Sequence, residues 1–284
     1  MSPCRIALLT ALAMLAFAGN SLLCRIALKE TGIDPASFTS IRLLSGALVL
    51  GLIVAARGEK LPPAGSWRSA LALFAYAAGF SYAYVSLPTA SGALLLFGAV
   101  QATMIGYGLW SGERLRTLQV AGLLIAFGGL FALLLPGLSA PPLNGALLML
   151  GAGVAWGIYS LRAKGVQNPT HVTAGNFLRA LPFAAILSAS SMFMLPSVTL
   201  ERSGVLYAIA SGALTSGLGY ALWYSALRGL KASNAATVQL CVPVLAAVGG
   251  TAFLGEAVTA RLLLTSVAIL GGIALVILGA RRAR

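Results

Sequence analysis

Apolar runs follow one another along this chain almost without pause, separated by short breaks of charged, proline or glycine residues. A helix rises about 1.5 Å per residue, so about 20 apolar residues cross the roughly 30 Å of bilayer hydrocarbon. Runs of that kind are predicted at 6–28, 36–56, 67–87, 91–110, 118–135, 143–162, 172–195, 203–226, 232–254 and 260–280. The expected fold is therefore an all-α membrane protein with ten transmembrane helices. Composition agrees: only 9% of the 284 residues are charged, against about 25% in ordinary soluble domains. The breaks are mostly shorter than about a dozen residues, so no separate catalytic domain fits between the spans. Function must lie among the helices.

A formal net charge of +13 raises the question of nucleic acid. Such a partner needs its basic residues gathered on one soluble face, whereas here they punctuate apolar runs. They report orientation instead, because cytoplasmic loops are enriched in Lys and Arg. With the N-terminus inside, thirteen fall on one side: Arg5, Arg57, Lys60, Arg68, Arg114, Arg116, Arg162, Lys164, Arg228, Lys231, Arg281, Arg282 and Arg284. The other side holds Arg25, Lys29, Arg202 and Arg261, while Arg42 and Arg179 fall within spans. Both termini are thus expected to be cytoplasmic. The first span has no clear small-residue cleavage site and is expected to be retained. Cys4, Cys24 and Cys241 have no metal-like spacing and read as packing residues.

The chain also matches itself. Arg42 early in the second span corresponds to Arg179 early in the seventh, Gly79-Phe80 to Gly219-Tyr220, and Gly112-Glu113 to Gly255-Glu256. This divides the chain into five-span repeats at 1–140 and 141–284. An odd number of spans makes the second repeat enter from the opposite side, so the repeats are inverted. That architecture belongs to transporters more often than to enzymes.

The order of these features resembles the drug/metabolite transporter superfamily, specifically its ten-helix bacterial members with two EamA-type repeats, over essentially the whole chain. The second half carries most of the likeness: Ala155-Trp156-Gly157, Arg179, Gly219-Tyr220-Ala221-Leu222-Trp223-Tyr224-Ser225-Ala226-Leu227, Ala232, Ala235, Ala236, Pro243-Val244 and Phe253-Leu254-Gly255-Glu256. The first half departs at Phe17-Ala18-Gly19-Asn20, where the family commonly has a tryptophan, and at Val100-Gln101, opposite the expected helix-kinking Pro243. The resemblance implies a multi-pass protein of the bacterial inner membrane that exports amino acids, drugs or other metabolites. Aromatic or large neutral amino acids are the favoured substrates.

Polar groups inside a span are costly unless paired, snorkelling or facing a wet cavity, which makes each a candidate. Asn20, Gln101, Gln239 and Asn176 are the amides in this position, with Gln101 the deepest. Gln101 has an equally good structural role as an interhelical hydrogen bonder. Tyr76, Phe80, Trp156, Tyr159 and Tyr220 lie deep enough to build an aromatic cage for a planar or apolar substrate, although core packing is the commoner role of any one of them. Trp67, Trp110, Trp223 and Tyr84 read as interface anchors near span ends.

Arg42 and Arg179 lie only about seven residues into their spans. An arginine at mid-span costs about 2.5–3.5 kcal/mol on insertion scales. Snorkelling or a carbonyl partner is the first reading of both, and binding a substrate carboxylate at alternating gates is the second. Gly108/Gly112 and Gly153/Gly157 suit close helix contact.

The leading expectation is an alternating-access carrier with a small-molecule substrate and the lipid bilayer as its partners. No cofactor, metal or nucleic acid is expected, and association into a homo-oligomer is left open. An intramembrane enzyme is the competing class, but there is one histidine, His171, and no hydrolase or metalloprotease motif. A channel is the other competitor. All six acidic residues, Glu30, Asp34, Glu59, Glu113, Glu201 and Glu256, fall in loops or at span ends, so obligatory proton coupling is not expected.

Overall fold

The computed structural model describes residues 2–58, 64–112, 114–137, 140–163, 166–194, 200–230, 235 and 238–281. Glu59, Lys60, Glu113, Lys164, Lys231, Ala232, Ala236, Arg282 and Arg284, singled out above, lie outside them. The described residues form helices α1 (Pro3–Glu30), α2 (Pro35–Ala56), α3 (Trp67–Tyr84), α4 (Thr89–Trp110), α5 (Thr117–Leu134), α6 (Leu143–Ala163), α7 (Pro169–Met194), α8 (Arg202–Leu227), α9 (Cys241–Leu254) and α10 (Ala260–Arg281). Eight are long and apolar enough to cross a membrane, α9 is a shorter apolar helix, and α3 falls outside both groups. Arg68, Ser69, Tyr76, Ser81, Tyr82 and Tyr84 make α3 the more polar element.

Helix ends follow local chemistry. Asp34 caps α2 by accepting hydrogen bonds from the amides of Ala36 and Ser37 at 3.0 Å, with Pro35 at the first helical position. Ser66 caps α3 by accepting from Ser69 N at 3.2 Å. Regular α9 begins at Cys241, so Pro243 occupies its first turn, where a missing backbone donor costs least. Successive helices run antiparallel, giving the bundle an end that holds Asp34 and an end that holds Arg57.

The packing places α5 against α10, α2 against α7 and the middle of α8, and α3 against α6 and α7. Helix α1 packs on α8 and α9, and α4 on α6 and α9. Close approach depends on small residues, as it does where lipid removes the usual hydrophobic drive between helices. A Cβ on Gly153 would stand 2.6 Å from the Leu96 carbonyl oxygen, and one on Gly157 would stand 2.7 Å from Thr103 Cβ. These two glycines set the α4/α6 contact. Gly112 instead ends α4 at φ +89° with open space around it.

Inside α8, residues Ser211–Leu218 are π-helical, a wider winding that is rare and concentrates at functional sites. It sets Ser211, Thr215 and Ser216 toward α1 and α2. At the Asp34 end, Glu201 accepts from Ser203 Oγ and, at 2.7 Å, from Gly32 N, ties that hold its carboxyl below the ordinary carboxylate range.

Candidate substrate-binding site

A cavity of about 520 Å³ lies among α1, α3, α4, α6, α8 and the approach to α9. Its size suits a small organic molecule. Asn20, Tyr76, Phe80 and Gln101 line it, as do Trp156, Tyr220 and Gln239. Toward the Arg57 end the lining continues to Ser111, Ala163 and Leu227 at helix termini. Toward the Asp34 end it stops at Ser21 and Phe80. The cavity therefore reaches one end of the bundle only.

Trp156 is the hub of its wall. The Trp156 ring lies 4.8 Å from Tyr76, 5.1 Å from Tyr220 and 5.3 Å from Tyr159, the last in a stacked arrangement. Tyr159 does not line the cavity: its hydroxyl donates to Thr173 Oγ1 at 3.3 Å and accepts from Asn176 Nδ2 at 3.4 Å, so it braces Trp156 from behind. Asn176 is spent on packing, since its Oδ1 also accepts from Ser66 N at 2.9 Å. Phe17 adds edge contacts to Tyr220 and Trp223 at 5.9 Å each.

Two expected interface anchors belong to the interior instead. Trp223 is 7% exposed and lines the cavity, and Tyr84 is fully buried with its hydroxyl donating to Thr89 O at 3.3 Å. Each has an apolar neighbour, Phe17 or Phe80, that covers the ring. Trp67 and Trp110 are exposed, as anchors are.

A polar seam adjoins the Trp156 wall at Tyr76. Asn20 Nδ2 donates to the Tyr76 hydroxyl at 3.3 Å, and Asn20 Oδ1 accepts from Ser211 Oγ at 2.7 Å and Thr215 Oγ1 at 3.2 Å. Two partners come from the π-helical turn. Arg42 Nη2 donates to the same Tyr76 oxygen at 3.0 Å, and its Nε donates to Ser216 Oγ at 3.3 Å. Tyr76 thus accepts two hydrogen bonds, leaving its own proton for a group in the cavity.

Arg42 corrects the snorkelling expectation. It is 2% exposed, its guanidinium lies 5.1 Å from the Tyr76 ring centre and 4.9 Å from that of Phe80, and its Nη1 is buried without a hydrogen-bond partner. Packing of α2 against α8 turns the side chain inward, where aromatic faces and hydroxyls replace water. Among the described residues no carboxylate pairs with it. Arg179 keeps a carbonyl partner, donating from Nη1 to Gly175 O at 3.1 Å. Neither arginine lines the cavity, and Arg42 sits directly behind Tyr76 and Phe80.

Several lining residues went unread in the sequence. Phe97 and Met104 share the face of α4 that carries Gln101, a spacing that could have found them. Thr215 depends on the π-helical winding, which no sequence signal announced. Among the described residues no Asp, Glu or His lines the cavity. A smaller cavity of about 250 Å³ at the Arg57 end is lined by Arg57, Asn168, Thr170, Tyr224, Ser225 and Arg228. Tyr224 is common to both.

A bundle with eight candidate membrane-crossing helices and a substrate-sized cavity has the architecture of a membrane transporter. Residues 5–135 and 143–278 each match the EamA-like transporter family, and the chain belongs to that family, within the drug/metabolite transporter superfamily. An uncharacterized protein of Pseudomonas aeruginosa is 58% identical over 274 residues, covering 96% of this chain and 94% of that one. The threonine/homoserine exporter RhtA of Escherichia coli is 35% identical over 160 residues, 55% of this chain and 53% of its own. A protein solved by crystallography shares the fold, with a TM-score of 0.68 over 99% of this chain and 100% of that one at 23% identity.

Proposed function

We propose that this transporter exports amino acids, aromatic or large neutral ones in particular, by alternating access through the central cavity. The observation that carries this reading is a cavity reaching only one end of the bundle, lined by aromatic rings beside an Asn20–Tyr76 polar seam. The rings offer broad faces for an apolar side chain, and the seam offers hydrogen bonds for polar groups of the amino acid. Arg42, one layer back, supplies positive potential for the carboxylate through Tyr76, and Arg57 with Arg228 supplies it in the smaller cavity that shares Tyr224. RhtA is named for export of threonine and homoserine, which supports amino acids as the substrate class.

Two inverted five-helix halves would make such alternation natural. Two findings support that arrangement. The family matches the chain twice, at 5–135 and 143–278. The packing also maps onto itself when helices are advanced by five: α3 on α6 becomes α8 on α1, α4 on α6 becomes α9 on α1, and α3 on α7 becomes α8 on α2.

The test is uptake and counterflow of a labelled amino-acid and metabolite panel in proteoliposomes, with and without an imposed pH gradient. Saturable counterflow of aromatic or large neutral amino acids is the expected result. The same experiment reads coupling. With no carboxylate or imidazole on the described lining, transport is expected to follow the substrate's own gradient. Uphill accumulation with stoichiometric proton flux would reject the uncoupled mechanism.

The proposed site is the bacterial inner membrane with both termini cytoplasmic, so that the cavity faces the cell interior. Cysteines placed near Arg57, Arg114 and Arg282 are expected to label from the cytoplasmic side, and those near Asp34 and Ser139 from the periplasmic side. The charge asymmetry motivates this expectation. The reverse labelling pattern would overturn it.

A further inference from the structure

Beyond the blind end of the cavity, four helices are joined by one charged pair. Arg25, near the end of α1, donates from Nε to Glu256 Oε1 at 3.2 Å, and the two side chains are only 11% and 13% exposed. Nη1 of Arg25 also donates to the backbone carbonyls of Tyr84 and Val85 at 2.8 and 2.9 Å, reaching the end of α3. The second oxygen of Glu256 accepts from Thr89 N at 2.7 Å, at the first residue of α4. The residue before that helix is Pro88, which offers no side-chain cap, so a carboxylate from elsewhere in the chain fills the role.

Glu256 is held in position by its own helix end. Gly255 takes φ +63° and closes α9, and Glu256 N donates back to Gly250 O at 3.1 Å. A side chain at Gly250 would meet Glu256 Oε2 at 2.6 Å, so that glycine is what admits the carboxylate. Both carboxylate oxygens and three donors are therefore accounted for within one small cluster, four residues beyond Ser21 on α1.

We infer that Arg25 and Glu256 form the gate that keeps this end of the transport path shut, and that their separation accompanies opening to the Asp34 side. The pair is suited to that task because it joins the moving walls: α1, α3, α4 and the chain after α9 all meet there, and α1, α3 and α4 also line the cavity. Opening frees the Thr89 amide and the Tyr84 and Val85 carbonyls toward that end of the bundle, where water can replace each partner. A gate of this kind is bistable: closed, its bonds are shielded and strong; open, they are hydrated. The inference rests on alternating access as proposed above.

The test measures access without needing a substrate. Cys4, Cys24 and Cys241 are replaced, Ser21→Cys is introduced at the blind end, and an impermeant thiol reagent is applied to each face of sealed membrane vesicles. Glu30→Cys, exposed at the end of α1, marks the Asp34 face. Ser21→Cys is expected to resist reagent from that face. Adding Glu256→Gln keeps an acceptor for Thr89 N but removes the charge, and Arg25→Gln removes the other half. Each is expected to raise the labelling rate from that face about tenfold, as a shift of about 1.4 kcal/mol in the open–closed balance would.

The double variant is expected to match the single ones, because a pair acts as a unit. Arg25→Lys, which keeps charge without the fork, is the milder change if a glutamine variant fails to reach the membrane, and a smaller rise is expected. Labelling from the Asp34 face that is unchanged in these variants, or additive in the double one, overturns the gate. Absence of transport in the unmodified protein would instead count against the carrier reading and leave the accessibility result standing.

Discussion

Replacing Trp156 with alanine is expected to weaken transport about 5- to 150-fold, the range corresponding to about 1–3 kcal/mol for a lost stacking or hydrogen-bonding partner in a desolvated site. Trp156 touches Tyr76, Tyr159 and Tyr220, so its removal takes away a substrate surface and also the ring on which three others lean. Phenylalanine restores part of that surface, and Trp156→Phe is expected to recover most of the activity. Gln101→Ala should act in the same direction but more weakly, since one amide is lost from the α4 wall. Initial rates in proteoliposomes, with membrane-inserted folded protein verified in parallel, provide the measurement. Unchanged kinetics in both alanine variants would remove these residues from the site.

A large loss of stability is expected from a substitution at Gly212. A Cβ there would stand 1.9 Å from Ser45 Oγ and 2.1 Å from the Arg42 carbonyl oxygen. The serine can rotate aside; the carbonyl belongs to the backbone of α2 and cannot. Gly212→Ala must therefore push α2 off the π-helical turn, which strains the Arg42–Ser216 bond and the seat of Tyr76. Overpacking of this kind costs about 1–3 kcal/mol and occasionally more. Gly51→Ala is the matched control on α2, with nothing within 4 Å of its added methyl. The control is expected to be neutral or slightly stabilising, because alanine favours helix by about 1 kcal/mol over glycine. Thermal unfolding of the two purified variants in one detergent decides the matter: equal midpoints would show that α2 yields at Gly212 without cost.

How α2 meets α8 also marks the boundary of what residue order could reveal. Most of the spans were legible because bilayer thickness imposes a length and lipid an apolar composition, both written directly in the chain: eight of the described helices are long and apolar enough to cross. The predicted 36–56 became Pro35–Ala56, a difference of one residue set by the Asp34 cap, and the predicted 260–280 lies within Ala260–Arg281. Gln101, Trp156 and Tyr220, mid-span by residue order, all line the cavity.

Direction around each helix was harder to read. An apolar helix in lipid has no strong polar face to say which side turns inward, so residue order points Tyr159 at the cavity whereas it stands behind the wall. Closeness to span ends suggests anchors at Trp223 and Tyr84, whereas packing turns both inward. Arg42 shows the physical reason most clearly. Its position in the sequence allowed an inexpensive escape to the interface, and only the approach of α8 at Gly212, with Tyr76 and Phe80 beside it, made the interior its place. The link between Arg25 and Glu256 was equally hidden, for it joins residues 231 positions apart. Chain order determined where most of the helices fall, how far along each helix a side chain lies and which family the protein belongs to. Tertiary packing decided which of those side chains face the cavity, because that depends on contacts between helices that no single span encodes.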